Sequence, residues 1–225
     1  RPGRRSGPTL TMSIFRWTAP LLQSAAKRWT DDDLRPWADR LRPYVPSGGV
    51  FADLGGGTGD IGAGIARALN ARVVIVDPIP QMLQRVAPHP LVSARLASVD
   101  ALPFPDGCFD GVLCCDAFHH FRDQDAAVRE IARVVRPGGG ILVLDAECTG
   151  PNKLVAAFER VVGEPAGFRT ADGLREFMAV RGVVGSSTLM KNGRGYFFVG
   201  TVSGTAPGIA PKMVPEMAAE VRRSL

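Results

Sequence analysis

The chain has 225 residues, 45% of them hydrophobic, and a net charge of +5. This length allows a single α/β domain whose core is large enough to fold without disulfide bonds or a structural metal. The composition is close to the globular average, which excludes collagen-like, coiled-coil and low-complexity classes. Much of the positive charge lies at the two ends of the chain, and no basic stripe interleaved with aromatic residues is present, so no nucleic-acid partner is predicted.

The N-terminal part is predicted to precede the main fold. Residues 1–11 are rich in Pro, Gly and Arg and are predicted to be a disordered leader. Residues 12–45 are predicted to form cap helices, the second of which begins after Thr30 with an acidic first turn. The amphipathic stretch 13–29 predicts a lid over a substrate pocket, and an alternative interpretation is peripheral contact with a membrane surface.

Short apolar strands alternate with helical segments between Val50 and Leu144. This alternation predicts βαβ units and a parallel sheet with helices on both faces. Two further strands flank Asn192-Gly193, a pair that is typical of an antiparallel hairpin. The expected organisation is a single domain over residues 12–204, followed by a linker and a terminal helix over 205–225.

A glycine cluster joins the first strand to the following helix: Asp53-Leu54-Gly55-Gly56-Gly57-Thr58-Gly59-Asp60-Ile61-Gly62. Two interpretations compete. The spacing Gly57-x-Gly59-x-x-Gly62 matches a dinucleotide fingerprint, with Asp77 about twenty residues later. In the other frame, Asp53 at the strand end is poorly suited to a pyrophosphate and well suited to an amino-bearing ligand.

Three acids, Asp53, Asp77 and Asp100, follow three successive strands. Open α/β sheets bind their ligands at the carboxyl ends of the strands, where these acids are expected to meet. An ammonium, a ribose and an adenine would suit the three carboxylates. S-adenosylmethionine carries all three groups and no phosphate.

Five motifs between Val50 and Asp145 resemble, in order, those of the class I S-adenosylmethionine-dependent methyltransferases. They are the glycine cluster, Val74-Ile75-Val76-Asp77, Ser98-Val99-Asp100-Ala101-Leu102-Pro103-Phe104, the stretch from Phe109-Asp110 to Phe118-His119-His120-Phe121, and Val135-Arg136-Pro137-Gly138-Gly139-Gly140. The amino-acid sequences of the first and third motifs are similar to those of the ubiquinone/menaquinone-biosynthesis C-methyltransferases, the methyltransferase type 11 group.

The resemblance implies a Rossmann-like, three-layer, seven-stranded sheet whose last strand is antiparallel. It also implies S-adenosylmethionine as cofactor, S-adenosylhomocysteine as product and a small-molecule methyl acceptor, a lipophilic quinone or a lipid. The cofactor-binding residues that it implies are Asp53, Gly55, Gly56, Gly57, Gly59, Asp77, Pro78, Asp100, Ala101 and Cys115.

The chain also departs from the quinone enzymes. Their fourth-strand motif commonly carries Arg and Asn where this chain has His119 and His120, and the similarity fades after Asp145. A phospholipid N-methyltransferase is therefore a related possibility. A nicotinamide-dependent oxidoreductase and a non-catalytic S-adenosylmethionine-binding module remain the alternatives from other classes.

The two adjacent histidines follow the fourth strand, at the edge where the transferred methyl group is expected to point. A histidine whose pKa is near neutrality can deprotonate an acceptor, so His119 is predicted to be the catalytic residue. His89 lies in a separate Pro-rich turn, and no metal site is predicted. The four cysteines form no Cys-x-x-Cys pair and no apolar run reaches the length of a membrane span, so a cytoplasmic location is expected.

Overall fold

We describe a computed structural model of the chain over residues 29–150, 152–154, 157 and 167–203. Seven strands form one sheet in the order β3-β2-β1-β4-β5-β7-β6. The strands are β1 Val50–Leu54, β2 Arg72–Asp77, β3 Val92–Leu96, β4 Phe109–Cys115, β5 Val135–Ala146, β6 Val183–Leu189 and β7 Gly195–Val202. The predicted fold class is confirmed.

The strands from β1 to β5 are parallel, and β7 runs antiparallel to both of its neighbours, β5 and β6. The turn at Asn192-Gly193 connects β6 to β7 as the hairpin signal predicted. Strand order reverses between β1 and β4, and this switch point opens the crevice in which such sheets bind ligands.

Within the described residues, five helices with defined bounds and one 3-10 turn precede or connect the strands. The helices are α1 Asp31–Leu41, α2 Asp60–Leu69, α3 Pro80–Leu83, α4 Gln124–Val134 and α5 Ala171–Ala179, and the 3-10 turn is Phe118–His120. The predicted helix start at Thr30 is confirmed, because the Thr30 hydroxyl accepts the Asp33 N–H and the Asp33 carboxylate accepts the Thr30 N–H.

Two apolar clusters fill the two faces of the sheet. One contains Leu34 of α1 and Ile65 of α2, and the other contains Ile131 of α4 and Leu174 of α5. Helices therefore cover both faces, which gives the predicted three layers. The predicted leader, the stretch 13–28 and the predicted C-terminal helix lie outside the described residues.

The sequence Pro137-Gly138-Gly139-Gly140 predicts a sharp turn before the fifth strand, but the structure places the glycine run at 138–140 inside that strand. Strand β5 already begins at Val135, and its pairing with β4 shifts register between Phe109 and Gly111, so the run is an irregularity inside the strand. Gly138 has φ +73°, a conformation that glycine adopts without the Cβ clash of other residues.

Candidate active site

A cavity of about 540 Å³ lies over the carboxyl ends of the strands at the switch point. Its walls come from the glycine loop, the ends of β2 and β4, the segment after β3 and the 3-10 turn. The residues that line it are Gly55, Gly57, Val76, Asp77, Pro78, Ile79, Met82, Ala97, Ser98, Val99, Asp100, Asp116, Ala117, His120, Phe121, Arg122 and Asp123. Five of the ten predicted cofactor residues are among them.

The glycine loop needs its glycines for two physical reasons. Gly55 has φ +71°, and a Cβ there would lie 2.6 Å from the Ala117 Cβ, so the loop can pass the end of β4 only without a side chain. Gly57 has φ +56°, and no atom lies within 4 Å of the position that its Cβ would take. The backbone at Gly57 thus stands bare at the cavity wall, where a ligand can approach closely.

Asp77 ties the end of β2 to this loop. Its Oδ2 accepts the Gly57 N–H at 3.0 Å, and its Oδ1 accepts the Ile79 N–H at 2.8 Å. Burial raises the pKa of Asp77, while these two backbone hydrogen bonds act to lower it. Each oxygen keeps a second lone pair, so the carboxylate can still accept a hydroxyl hydrogen from a ligand in the cavity.

Asp53 lies beneath the loop and outside the set of cavity residues. It is 2% exposed, and its carboxylate oxygen would be 2.5 Å from a Cβ at Gly62 and 2.8 Å from one at Gly56. Burial first, and the negative charge of Asp77 second, raise the pKa of Asp53 to about 7, against a lowering hydrogen bond from the Gly62 backbone. In this position Asp53 supports the loop from below.

The other predicted cofactor residues are divided between the wall and its surroundings. Pro78 and Asp100 line the cavity with Gly55, Gly57 and Asp77. Gly56, Gly59, Ala101 and Cys115 do not line it; they belong to the loop, to the turn after β3 and to the end of β4.

The two histidines of the 3-10 turn occupy different places. His120 lines the cavity, whereas the His119 side chain is 4% exposed behind it. The Nδ1 of His119 lies 2.6 Å from Asp145 Oδ1, and the His119 N–H donates to Asp145 Oδ2 at 3.0 Å. The His119 ring lies between His120 at 3.9 Å and a stacked Phe168 at 4.1 Å.

Asp116 is a cavity residue that the sequence patterns did not single out. It follows β4 directly, has φ +51° and donates its N–H to the Leu144 carbonyl of β5 at 2.8 Å. Asp116, His119 and Asp145 each bring one polar side-chain atom to within 4.8 Å of the others. An Asp adopts the left-handed conformation more readily than most residues, but no sequence motif at this position indicates it.

We interpret this cluster as a hydrogen-bonded pair, His119 with Asp145, with the Asp116 carboxylate beside it. Both oxygens of Asp145 already accept hydrogen bonds: Oδ1 from the Ala146 N–H and from His119 Nδ1, and Oδ2 from the His119 N–H. A carboxylate engaged in this way is an unfavourable ligand for a cation, so the geometry does not assign a metal here.

Comparison with known proteins agrees with the motifs. Residues 52–143 match the family described as methyltransferase domain. The ubiquinone/menaquinone biosynthesis C-methyltransferase UbiE of Hahella chejuensis is 36% identical over 110 residues, which cover 45% of this chain and 44% of the relative. The demethylmenaquinone methyltransferase of Thermus thermophilus is 41% identical over 99 residues, which cover 41% of this chain and 45% of the relative.

The predicted resemblance to the class I S-adenosylmethionine-dependent methyltransferases, of the UbiE type, is confirmed. The matched region spans less than half the length of these curated relatives. The family match over residues 52–143 begins within β1 and contains the glycine loop, Asp77, Asp100 and Asp116.

Solved structures share the fold at low identity. The [4+2]-cyclase SpnF has a TM-score of 0.71 at 15% identity, with 87% of this chain and 97% of that chain covered. Geranyl diphosphate C-methyltransferase from Streptomyces coelicolor A3(2) has a TM-score of 0.61 at 13% identity, with 74% and 77% covered. One neighbour is described as a cyclase and the other as a methyltransferase, so the fold alone does not decide the chemistry.

Proposed function

We propose that this protein transfers a methyl group from S-adenosylmethionine to a small acceptor, a reduced quinone whose ring carbon is methylated. The cofactor part of the proposal rests on the cavity at the switch point, and the acceptor part rests on the names of the curated relatives. The similarity to those relatives covers less than half of this chain, so the acceptor has to be tested directly.

One observation carries the choice of cofactor: the Gly57 N–H donates to the Asp77 carboxylate. In a dinucleotide site, loop amides and the helix N-terminus are needed for the pyrophosphate. Here an amide of the loop is already bonded to an acid, and the first helical residue of α2, Asp60, is itself acidic. Phosphate would meet negative charge, so the nicotinamide alternative is not favoured.

The residues of the cavity suit the parts of S-adenosylmethionine. Asp77 would accept from the ribose hydroxyls, the wall from Ala97 to Asp100 would hold the adenine, and the bare backbone at Gly55 and Gly57 would lie along the methionine part. When bound, the cofactor supplies a methyl group that is already activated on a sulfonium. The protein's own task is to hold the acceptor in line and to exclude water.

The geometry supports a role for His119 that differs from the predicted catalytic one. Its ring lies behind the cavity wall and contacts Asp145, His120 and Phe168. We propose that His119 positions the end of β4 and the 3-10 turn. A non-catalytic binding module would keep the same cavity, so methyl transfer itself must be measured.

The experiment is transfer of labelled methyl from S-adenosylmethionine to demethylmenaquinone and to a demethylated ubiquinone precursor, each reduced to its quinol. We expect a labelled, C-methylated product with one of them, and a Gly57→Val variant, whose side chain would enter the cavity, should lose it. Stoichiometric cofactor binding without transfer to either quinol, or to lipid and amine fractions of a cell extract, would favour the binding module. Transfer to a phospholipid amine instead would correct the acceptor while retaining the enzyme class.

The remaining expectations concern partners and location. The four cysteines are free thiols, two of them buried, which supports the proposal of a reducing compartment such as the cytoplasm. Within the described residues, no helix has the length and apolar character needed to cross a membrane. Peripheral membrane contact through residues 13–29 stays a proposal; it would bring the site to a lipophilic acceptor.

A further inference from the structure

Four carboxylates line the cavity. Two of them hold the backbone by hydrogen bonds, and a third lies at the edge-strand side of the cavity. Asp77 accepts two backbone N–H groups, and Asp123 caps α4 by accepting the Ala126 N–H at 2.8 Å. Asp100 follows β3, the edge strand of the parallel part of the sheet. The fourth, Asp116, follows β4 on the other side of the glycine loop.

The sheet order decides which end of the cavity faces the acceptor. Under the proposed function, the adenine lies near β3, the ribose near β2 and the methionine part near β1. The next strand in the order is β4, so the methyl group points toward the residues that follow it. Asp116, His120 and Phe121 form the wall of the cavity there.

Asp116 is exposed to this cavity, and no described protein group hydrogen-bonds its carboxylate. Burial by the surrounding walls raises its pKa; His119 acts to lower the pKa and Asp145 to raise it. A carboxylate that keeps open hydrogen-bond positions and whose pKa is raised is suited to accept a proton from an acceptor hydroxyl.

Resting on the proposed function, we propose that Asp116 is the catalytic base that removes the hydroxyl proton of the aromatic acceptor. The acceptor O–H bond breaks, its electron pair stays on the acceptor oxygen, and the proton forms an O–H bond with the Asp116 carboxylate. The negative charge then spreads into the ring and makes the ring carbon nucleophilic. The proton returns to solvent through the open cavity.

Several other titratable or charged groups face Asp116 or the cavity around it. They are His119 and Asp145 behind it, Cys115 beside it in the chain, and Asp77, Asp100, His120, Arg122 and Asp123 around the cavity. A pH profile of the wild type alone would mix their contributions. The test must therefore compare two proteins that differ at Asp116 only.

The test uses Asp116→Asn, because Asn also adopts the left-handed conformation found at φ +51°. Asp116→Gly is the second variant, since glycine accepts this φ without strain. Asp172→Asn, on the exposed first turn of α5, is the matched control. Circular dichroism and affinity for S-adenosylhomocysteine establish that the fold and the cofactor site are retained.

The first readout needs no cofactor turnover. The probe is neutral 1-naphthol, an aromatic hydroxyl compound, and its affinity is measured by calorimetry from about pH 4 to about pH 8. Wild type and Asp172→Asn should bind it about tenfold or more tightly once Asp116 is ionised, because a hydrogen bond to a charged acceptor is lost on protonation. Asp116→Asn and Asp116→Gly should lack this step. The same affinity and pH dependence in all four proteins would overturn the proposal.

The second readout is methyl transfer to the quinol. Both Asp116 variants should lose about 10²–10⁴-fold in kcat with little change in affinity for S-adenosylhomocysteine. An unchanged kcat would exclude Asp116 as the base. If the wild type methylates no quinol, the proposed function fails, while the naphthol titration still decides whether Asp116 recognises an aromatic hydroxyl.

Discussion

Single side chains in this protein divide into those that face the cavity and those that hold the wall in place. Asp53 and Asp77 illustrate the difference, although both are acids at the ends of neighbouring strands. The Asp77 carboxylate opens to the cavity, whereas the Asp53 carboxylate is enclosed by Gly56, Gly62 and Ile75. Enclosure makes Asp53 a titrating group that affects stability.

We expect Asp53 to make stability depend on pH. Its pKa is about 7 in the folded protein, against an ordinary value of 3.8 for an Asp. Because the folded-state pKa is the higher one, the stabilisation is complete below about pH 4 and is lost as the pH rises through about 7, on the order of 4 kcal/mol. Urea unfolding across this range should show the decrease for wild type and for Asp172→Asn, and a smaller decrease for Asp53→Asn. Equal slopes in all three proteins would contradict the assignment.

A second prediction concerns Gly55, where both the backbone and the space require glycine. Gly55→Ala places a methyl group 2.6 Å from the Ala117 Cβ at a positive φ and should cost about 2–4 kcal/mol of unfolding free energy. Gly138→Ala is the control, since its φ is also positive but no atom lies within 4 Å; it should cost about 1 kcal/mol. Affinity for the cofactor, measured by calorimetry, should fall in the Gly55 variant only. Equal affinities in the two variants would contradict the prediction.

Among the connecting segments, the one between β3 and β4 is held by an arginine of α4. Arg133 donates to the Leu102 and Phe104 carbonyls and to the carboxylates of Asp106 and Glu130. The Glu130 carboxylate also accepts the Leu102 N–H at 2.8 Å. Helix α4 thereby fixes the segment whose first residues form the proposed adenine wall.

Replacing Arg133 by Lys should loosen this segment, because an ammonium cannot reach four acceptors with the geometry of a guanidinium. We expect a loss of about 2–3 kcal/mol of unfolding free energy and a weaker affinity for S-adenosylhomocysteine. Arg175→Lys on α5, whose ion pair with Asp172 is exposed, should change stability by less than about 0.5 kcal/mol. Urea unfolding measures the free energy of unfolding of both variants. Equal losses would show that the network around Arg133 contributes no more to stability than an exposed ion pair.

For the molecule as a whole, the cavity couples ligand binding to stability. It joins the glycine loop, β2, β4 and the segment after β3, so a ligand that fills it stabilises only the folded state. The nature of the stabilising ligand therefore reports on the cofactor class. The two interpretations of the glycine spacing make opposite predictions here.

S-adenosylhomocysteine at a hundred times its Kd should stabilise the folded protein by about 2.7 kcal/mol and raise Tm by about 5–10 °C. NAD at the same concentration should leave Tm unchanged, because the Gly57 N–H that a phosphate needs is bonded to Asp77. Differential scanning fluorimetry measures both. Stabilisation by NAD alone would refute the cofactor assignment.

Local chemistry in the sequence was sufficient to predict the succession of strands and helices along the chain. Short apolar runs, the Thr30 cap and the Asn192-Gly193 turn act through neighbouring residues, so their outcome can be read from a single stretch of chain. The same holds for the glycine loop and for Asp77, since a motif between a strand and a helix determines where the carboxyl end of that strand lies. The family resemblance followed from these motifs.

Only the tertiary structure decided which of the neighbouring polar residues reach the cavity. His119 and His120 are adjacent in sequence, but the 3-10 turn directs them to different places. His120 faces the cavity, whereas His119 contacts Asp145 on β5, which is 26 residues from it in sequence. Asp116 became a candidate base through its positive φ and its place at the end of β4. These orientations depend on packing between strands that are distant in sequence, and a pattern of residue types along one segment does not contain that information.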